Sequence, residues 1–377
     1  MGHDAGRLRR ALDHQYAAAV TLSTGALLAL VWSALSLPGY RRLVATPWFH
    51  GHDTGLHSVI LNGAMTFFFA AVGLELSREW RASGFRRARA SLAPILGAMG
   101  GMGGAAVLSL IVGDVISSSA LKRGWGVPMA TDVAFTLAAL TLAGPRVPRE
   151  LRLFLLTLAI ADDVMSVIVL AVTGASHMRP LGIVAIGVLA GLAKTLGRRQ
   201  RPVAAFALLI VPLWLSFAWA GIDPALSGVL AGAVTPVNTG ATRKLESVVT
   251  RCSVGAVLPL FALVACGVAW TSLSVTGTTG KVIFGTIVVR LLGKVLGVSL
   301  GVFIAERCGA RRPPRLTVPI LVGATLLCAT GFTVPLLFAA ALFNPLSATY
   351  GAFTIGLLAA SVLGAGGGIS LLRRATR

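Results

Sequence analysis

The stretch Leu158-Ala-Ile-Ala-Asp162-Asp163-Val-Met-Ser-Val-Ile-Val-Leu170 constrains this chain more than any other. Two adjacent carboxylates sit inside a run that is otherwise almost wholly apolar from about Leu153 to Val172. A helix rises about 1.5 Å per residue, so about 20 residues cross the roughly 30 Å hydrocarbon layer of a bilayer. One carboxylate at that depth costs about 2.5–3.5 kcal/mol on insertion scales, and two side by side cost more. Residues of this kind mark an ion or proton site with a partner close by.

The rest of the composition fits the same solvent. Hydrophobic residues make up 55% and charged residues only 12%, with a mean hydropathy of +0.83, which excludes an ordinary soluble domain. The expectation is an all-α polytopic membrane protein. A net charge of +20 would suggest nucleic acid in a soluble chain. Here the aromatics are too few and too scattered to stack bases, so no nucleic acid is expected. Apolar spans fall at about 16–37, 58–77, 91–113, 126–143, 153–173, 180–196, 202–220, 222–237, 254–271, 282–304, 316–341 and 348–371, about 12 transmembrane helices. The seventh and eighth are parted only by Ala-Gly-Ile-Asp223-Pro and are the weakest division.

The positive charges test this map. With the N-terminus in the cytoplasm, 25 of the 33 lysines and arginines lie on cytoplasmic segments and six on the other side. The remaining two, Arg290 and Lys294, fall inside the tenth span. That asymmetry is the positive-inside rule, reinforced by attraction to anionic lipids, and puts both termini in the cytoplasm. The expected unit is one transmembrane domain over residues 1–377, with a cytoplasmic segment 1–15 and tail 372–377. No cleavable signal is expected, because the first apolar run is too long. Cys252, Cys266, Cys308 and Cys328 show no C-x-x-C spacing and read as packing residues. The longest loop, about 38–57, has room for a small hairpin or an amphipathic piece. Its His50, His52, Asp53 and His57 read as a solvated loop and not a metal cluster.

Two spans carry helix-breaking content at mid-depth. The fourth reads Gly124-Trp-Gly-Val-Pro128-Met-Ala-Thr131-Asp132, and the eleventh Ala329-Thr330-Gly331-Phe332-Thr333-Val-Pro335. Irregular backbone survives at membrane depth only where it lines a cavity or is buried in protein. Paired interruptions in two halves of a chain point to a transporter site between broken helices. The facing half-helix ends favour an anion at one meeting point and a cation at the other, roles that Asp132 and Lys294 can fill. Lys294 is about ten residues from the nearer end of its span, too deep to snorkel, so it should face inward and be paired. Gly293 and Gly297 beside it allow a neighbouring helix to approach closely. Arg290, one turn earlier, is left between snorkelling and lining a funnel.

Adjacent residues on a helix point about 100° apart, so Asp162 and Asp163 cannot address one partner. One should pair with Lys294 and the other face a wet cavity. A buried carboxylate holds either a proton or a hard cation, and that competition is the physical basis of exchange. Alkali cations take oxygen ligands, so Thr131, Asp132 and unwound carbonyls are candidate co-ligands. Glu75 and Arg78, three residues apart, form either an interfacial ion pair or the mouth of an ion funnel with Glu79 and Glu246.

Taken in order, several pieces carry a resemblance. They are Phe67-Phe68-Phe69…Val72-Gly73-Leu74-Glu75…Arg78-Glu79, Pro128 to Phe135, the Asp162-Asp163 pair, Leu258-Pro259-Leu260-Phe261-Ala262, Gly293-Lys294…Leu296-Gly297 and Gly331-Phe332-Thr333. With them the chain resembles the NhaA family of sodium/proton antiporters over nearly its whole length. The resemblance implies inverted repeats with two crossed discontinuous helices, matching the fourth and eleventh spans. It implies Asp163 as the main sodium and proton carboxylate, Asp162 paired with Lys294, and Thr131 and Asp132 at the crossing. Glu75 and Glu246 would belong to the cytoplasmic funnel and pH response. Departures are Asn62, Asp223, Val164, Val295, and Val334-Pro335, where the family has other residues; the four central ionisable positions are kept.

The expectation is therefore a secondary antiporter of a cell inner membrane, not an enzyme, with no cofactor. It would exchange Na+, and Li+ as a second cargo, for external protons, among membrane lipids and as the homodimer the family implies. The alternative is a degenerate relative that binds or senses ions without efficient transport, suggested by Asn62, Asp223 and Pro335. An intramembrane prenyltransferase would need further carboxylates at helical spacing, and residues 164–172 contain none. An organic-anion carrier is disfavoured by the acidic buried site.

Overall fold

The computed structural model describes residues 2–46, 55–83, 88–144, 146–173, 179–198, 202–235, 240–274, 276–310 and 316–376. Side chains are described from Tyr16 onward, apart from residues 79–83, 88–91, 149 and 197–198. Among the described residues seventeen α-helices follow one another: α1 (Gly2–Leu35), α2 (Leu37–Ala45), α3 (Leu56–Ser58), α4 (Met65–Ser83), α5 (Ala88–Val115), α6 (Ser119–Arg123), α7 (Val133–Ala143), α8 (Arg149–Thr173), α9 (Pro180–Arg198), α10 (Pro202–Ala220), α11 (Ser227–Val234), α12 (Gly240–Cys252), α13 (Leu258–Ala265), α14 (Thr278–Arg307), α15 (Val318–Leu327), α16 (Thr333–Leu342) and α17 (Ala348–Ala375). Eight helical stretches among the described residues are long and apolar enough to cross a membrane. The other four expected spans are the shorter α9, the short stretch Pro224–Val234, and the two that break, α6–α7 and α15–α16. The weak division between α10 and α11 is real. Gly221 turns the chain at φ +79°, and Asp223 accepts the Ala225 N–H at 2.9 Å to start the next helix.

Leu27, Val188, Leu208, Val211, Leu296 and Val362 point outward and exposed, as side chains bathed in lipid do. One order recurs: a long helix, a broken one, a long one, over α5–α8 and again over α14–α17. The first copy begins at the third of the twelve expected spans and the second at the tenth, an odd and an even place, which is the order an inverted repeat requires.

Small residues let the two copies meet. On α5, Gly100 and Gly104 lie against Gly297 and Gly293 of α14, backbone on backbone. A methyl group at Gly297 would collide with the Gly100 carbonyl, and one at Gly100 would collide with the Gly297 carbonyl. Gly297→Ala is therefore expected to push the helices apart and cost about 1–3 kcal/mol, the usual range for overpacking. Gly366→Ala, where an added methyl meets nothing within 4 Å, should leave the protein unchanged. Melting of the two purified variants in detergent checks the pair.

The long loop holds a helix, α2, with Tyr40 and Val44 buried. The Tyr40 hydroxyl lies 2.8 Å from the Leu263 carbonyl and accepts the Gly267 N–H at 3.0 Å, fastening α2 to the end of α13. His50, His52 and Asp53 lie outside the described residues. His57 departs from the solvated expectation: it sits in α3 with Nε2 buried and no hydrogen-bond partner. Two π-helical turns, Val59–Ala64 and Ser253–Val257, were not legible in the sequence; the first widens the start of the Leu56–Arg78 stretch and the second lies inside Gly240–Ala265.

Candidate functional site

The two broken spans cross where each loses its helix. The fourth leaves α6 at Arg123, runs through turns to Met129 and resumes as α7 at Val133; the eleventh is interrupted between Leu327 and Thr333. Pro128 has no N–H to give a helical ladder, and Asp132 favours a capping conformation, so the local sequence encourages the first break. Gly331 does so in the second by packing where a side chain would not fit. The breaks are joined directly, the Asp132 N–H donating to the Thr330 carbonyl at 3.0 Å.

Asp132 occupies the positive ends of both half-helices. Its Oδ1 accepts the N–H groups of Ala134 and Phe135 at 3.0 and 3.3 Å at the start of α7. Its Oδ2 accepts from Thr333 at the start of α16, the N–H at 3.3 Å and the hydroxyl at 2.9 Å. Helix α16 has no side-chain cap from its own N-cap residue, Phe332, so this one carboxylate caps two helices. Threonines stitch the remainder together. Thr131 Oγ1 donates to the Cys328 carbonyl at 2.8 Å, and the hydroxyls of Thr136 and Thr330 are 2.9 Å apart. Ser361 of α17 grips the second break, accepting the Gly331 N–H at 3.1 Å.

The negative ends are served by a different cation from the one expected. Arg290, fully buried, donates Nε to the Ala329 carbonyl at 2.5 Å, Nη1 to Pro128 at 3.2 Å and Nη2 to Ala130 at 2.6 Å. Lys294 does not take that place. It lies one turn further along α14, and its Nζ donates to Asp162 Oδ1 at 2.9 Å, with both side chains wholly buried. A guanidinium can spread its donors over three carbonyls, which a compact ammonium does less well. Arg290 therefore neither snorkels nor lines a funnel. Gly101 of α5 packs beside the Lys294 stem, and a methyl added there would collide with the Val298 side chain. The second oxygen of Asp162 accepts the Thr131 N–H, tying α8 to the first break.

Asp163 stands apart. It is 9% exposed, and its Oδ1 is buried with no hydrogen-bond partner. Asp132, Asp162, Glu75 and Lys294 are all close enough for their charges to act on it. Among the described residues no three His, Cys, Asp or Glu side chains converge as a metal cluster. Further along α4, Arg78 bridges Glu246 of α12 and Glu75, the latter at 3.4 Å. Arg78 and Glu75 are partly exposed, while Glu246 is largely covered. The Glu79 side chain lies outside the described ones. Thus the structure brings together Pro128, Thr131, Asp132, Asp162, Lys294, Gly331 and Thr333 at one crossing, with Asp163 beside them and Glu75, Arg78 and Glu246 in a second cluster. Sequence reasoning missed Arg290 and Ser361 at the crossing. The one signal for Arg290 was a second cation deep in a span.

Helices spanning a bilayer, two of them broken at mid-depth and crossed around buried opposite charges, define a secondary membrane transporter. Comparison with known sequences narrows the class. The profile of the family described as Na+/H+ antiporter 1 matches residues 9–372. The Na(+)/H(+) antiporter NhaA 3 of Frankia alni is 32% identical, over 98% of this chain and 89% of its own length. NhaA of Tolumonas auensis is also 32% identical, over 98% and 96%, and NhaA 2 of Novosphingobium aromaticivorans 34%, over 85% and 83%. The chain belongs to the Na+/H+ antiporter 1 family.

Proposed function

We propose that the protein carries Na+ out of the cell in exchange for external H+, with Asp163 as the carboxylate for which the two compete. The observation that carries this reading is the free Oδ1 of Asp163: at a crossing where Asp132 and Asp162 are held by several donors, it alone has a vacant oxygen. A sodium ion there would complete its shell with carbonyl, hydroxyl or water oxygens. The Thr131 hydroxyl and the unwound carbonyls of the first break are the candidate co-ligands.

Charge favours a monovalent cargo. Asp132, Asp162 and Asp163 against Arg290 and Lys294 leave one negative charge when all five are ionised, which one Na+, one Li+ or one proton cancels. A divalent ion would leave a net positive charge in a low-dielectric site. Protons leaving Asp163 would make way for Na+ on one side of the membrane and return on the other, as the crossing is exposed alternately. The pairing of Lys294 with Asp162 would be made and broken during that cycle. Glu75, Arg78, Glu79 and Glu246 are assigned to the cytoplasmic funnel and pH response, the charged lining through which Na+ reaches Asp163. The distribution of lysine and arginine supports cytoplasmic termini and an inner-membrane location. A single domain over residues 1–377 and a homodimer belong to the same reading.

Proteoliposomes or everted vesicles test it. Adding Na+ or Li+ should release protons between roughly pH 6 and 9, a range wide enough to titrate a perturbed carboxylate. No response to Na+, Li+ or K+ anywhere in that range would support the non-transporting alternative.

A further inference from the structure

We propose that Arg290 is a positioning residue of the exchange cycle, the fixed countercharge that holds the carbonyl ends of both broken helices and so leaves Lys294 to Asp162 alone. The inference rests on the crossing being the exchange site. It begins with the three acceptors of the guanidinium, which all belong to the two interruptions: Pro128 and Ala130 in the first, Ala329 in the second. Each half-helix ends with unpaired carbonyls and about half a negative charge, so two such ends meeting in a buried place repel unless a cation lies between them. Arg290 is that cation, and Asp132 is its counterpart at the two positive ends. A guanidinium keeps its proton under all ordinary conditions, so this countercharge stays constant while other groups load and unload.

The surroundings are built for it. Arg290 is wholly buried although it is among the largest side chains in the protein. Any side chain at Gly331 would occupy the place of its Nη2, so the glycine of the second break is also the seat of the guanidinium. The charged and titratable groups facing it are Asp132 from the first break, Asp162 from α8 and Cys328 from the second break, with Lys294 one turn along its own helix. Asp163 adjoins that set through Asp132, Asp162 and Lys294. Without Arg290, Lys294 would be the one remaining buried cation of the crossing. It would be drawn between the carbonyl ends and Asp162.

The test compares Arg290→Gln, Arg290→Lys and Gly331→Ala with the wild type in proteoliposomes, following Na+-driven proton release against pH. Removing a fixed positive charge favours protonated carboxylates nearby, so clearing them takes a more alkaline medium. Arg290→Gln is expected to move the pH of half-maximal exchange up by about one unit, a tenfold change in proton affinity. Half-saturating Na+ should rise as well. Arg290→Lys keeps the charge and should hold the midpoint near that of the wild type, even where its melting temperature falls. Gly331→Ala displaces the guanidinium and should move the midpoint in the direction of the Gln variant; it takes that variant's place if Arg290→Gln does not reach the membrane. A charge-free variant with the wild-type midpoint, or Gln and Lys variants displaced equally, overturns the proposal while leaving antiport standing. A wild type with no exchange removes the exchange site itself, and this inference with it.

Discussion

Replacing Asp163 by asparagine is expected to abolish Na+-driven proton release while leaving the protein folded. The amide matches the carboxylate in size but can neither ionise nor take up a proton. A lost charge contact of about 3 kcal/mol corresponds to about a 100-fold fall in affinity, and exchange should drop by at least that factor. Little stability should go with it, because Oδ1 of Asp163 accepts no hydrogen bond that the substitution would break. A fluorescent pH assay in proteoliposomes reads the first effect and melting in detergent the second. Retained exchange in the folded variant would move the transported proton to another carboxylate.

Lys294→Ala is expected to produce the opposite balance, a large loss of stability. Both members of the pair are fully buried, and the ammonium gives Asp162 its one charged donor at 2.9 Å. Truncating one partner strands the other charge in a low-dielectric interior, which costs about 3–5 kcal/mol. The melting temperature should fall, and the pH profile of any residual exchange should shift. Removing both charges with Asp162→Asn and Lys294→Ala together should recover part of the loss, since no charge is then stranded. Additive losses in the double variant, or unchanged melting and pH profile in the single one, would show that the pair does not matter energetically.

Much of this arrangement could be read from the chain because charge in a bilayer has few places to go. Asp162 and Lys294 announce each other: two opposite charges deep in separate spans must meet or remain unpaid by solvent. Pro128 and Asp132 give the first break away, one by lacking an N–H and the other by its preference for capping. Arg290 and Lys294 were harder to tell apart. They are four residues apart on one face of α14, and local sequence does not say which carbonyls each will reach. That depends on how α14 lies against the two breaks, a matter of tertiary packing. Asp132 at the facing helix ends could be anticipated from the two breaks, but its hydrogen bonds to Thr333, 201 residues away, could not, for the same reason. Neither Tyr40 plugging the end of α13 nor the two π-helical turns has a local signature, because each answers to a neighbouring element and not to its own propensity.

The surplus of one negative charge among the five buried groups has an electrical consequence. With Na+ aboard, the moving core is neutral, and its swing across the bilayer does no work against the membrane voltage. A core returning with one proton is neutral too. Voltage can therefore drive the cycle only if a second proton rides back, making the returning core positive and giving it about 2.3 kcal/mol for every 100 mV. The permanent charge of Arg290 is what sets this zero point.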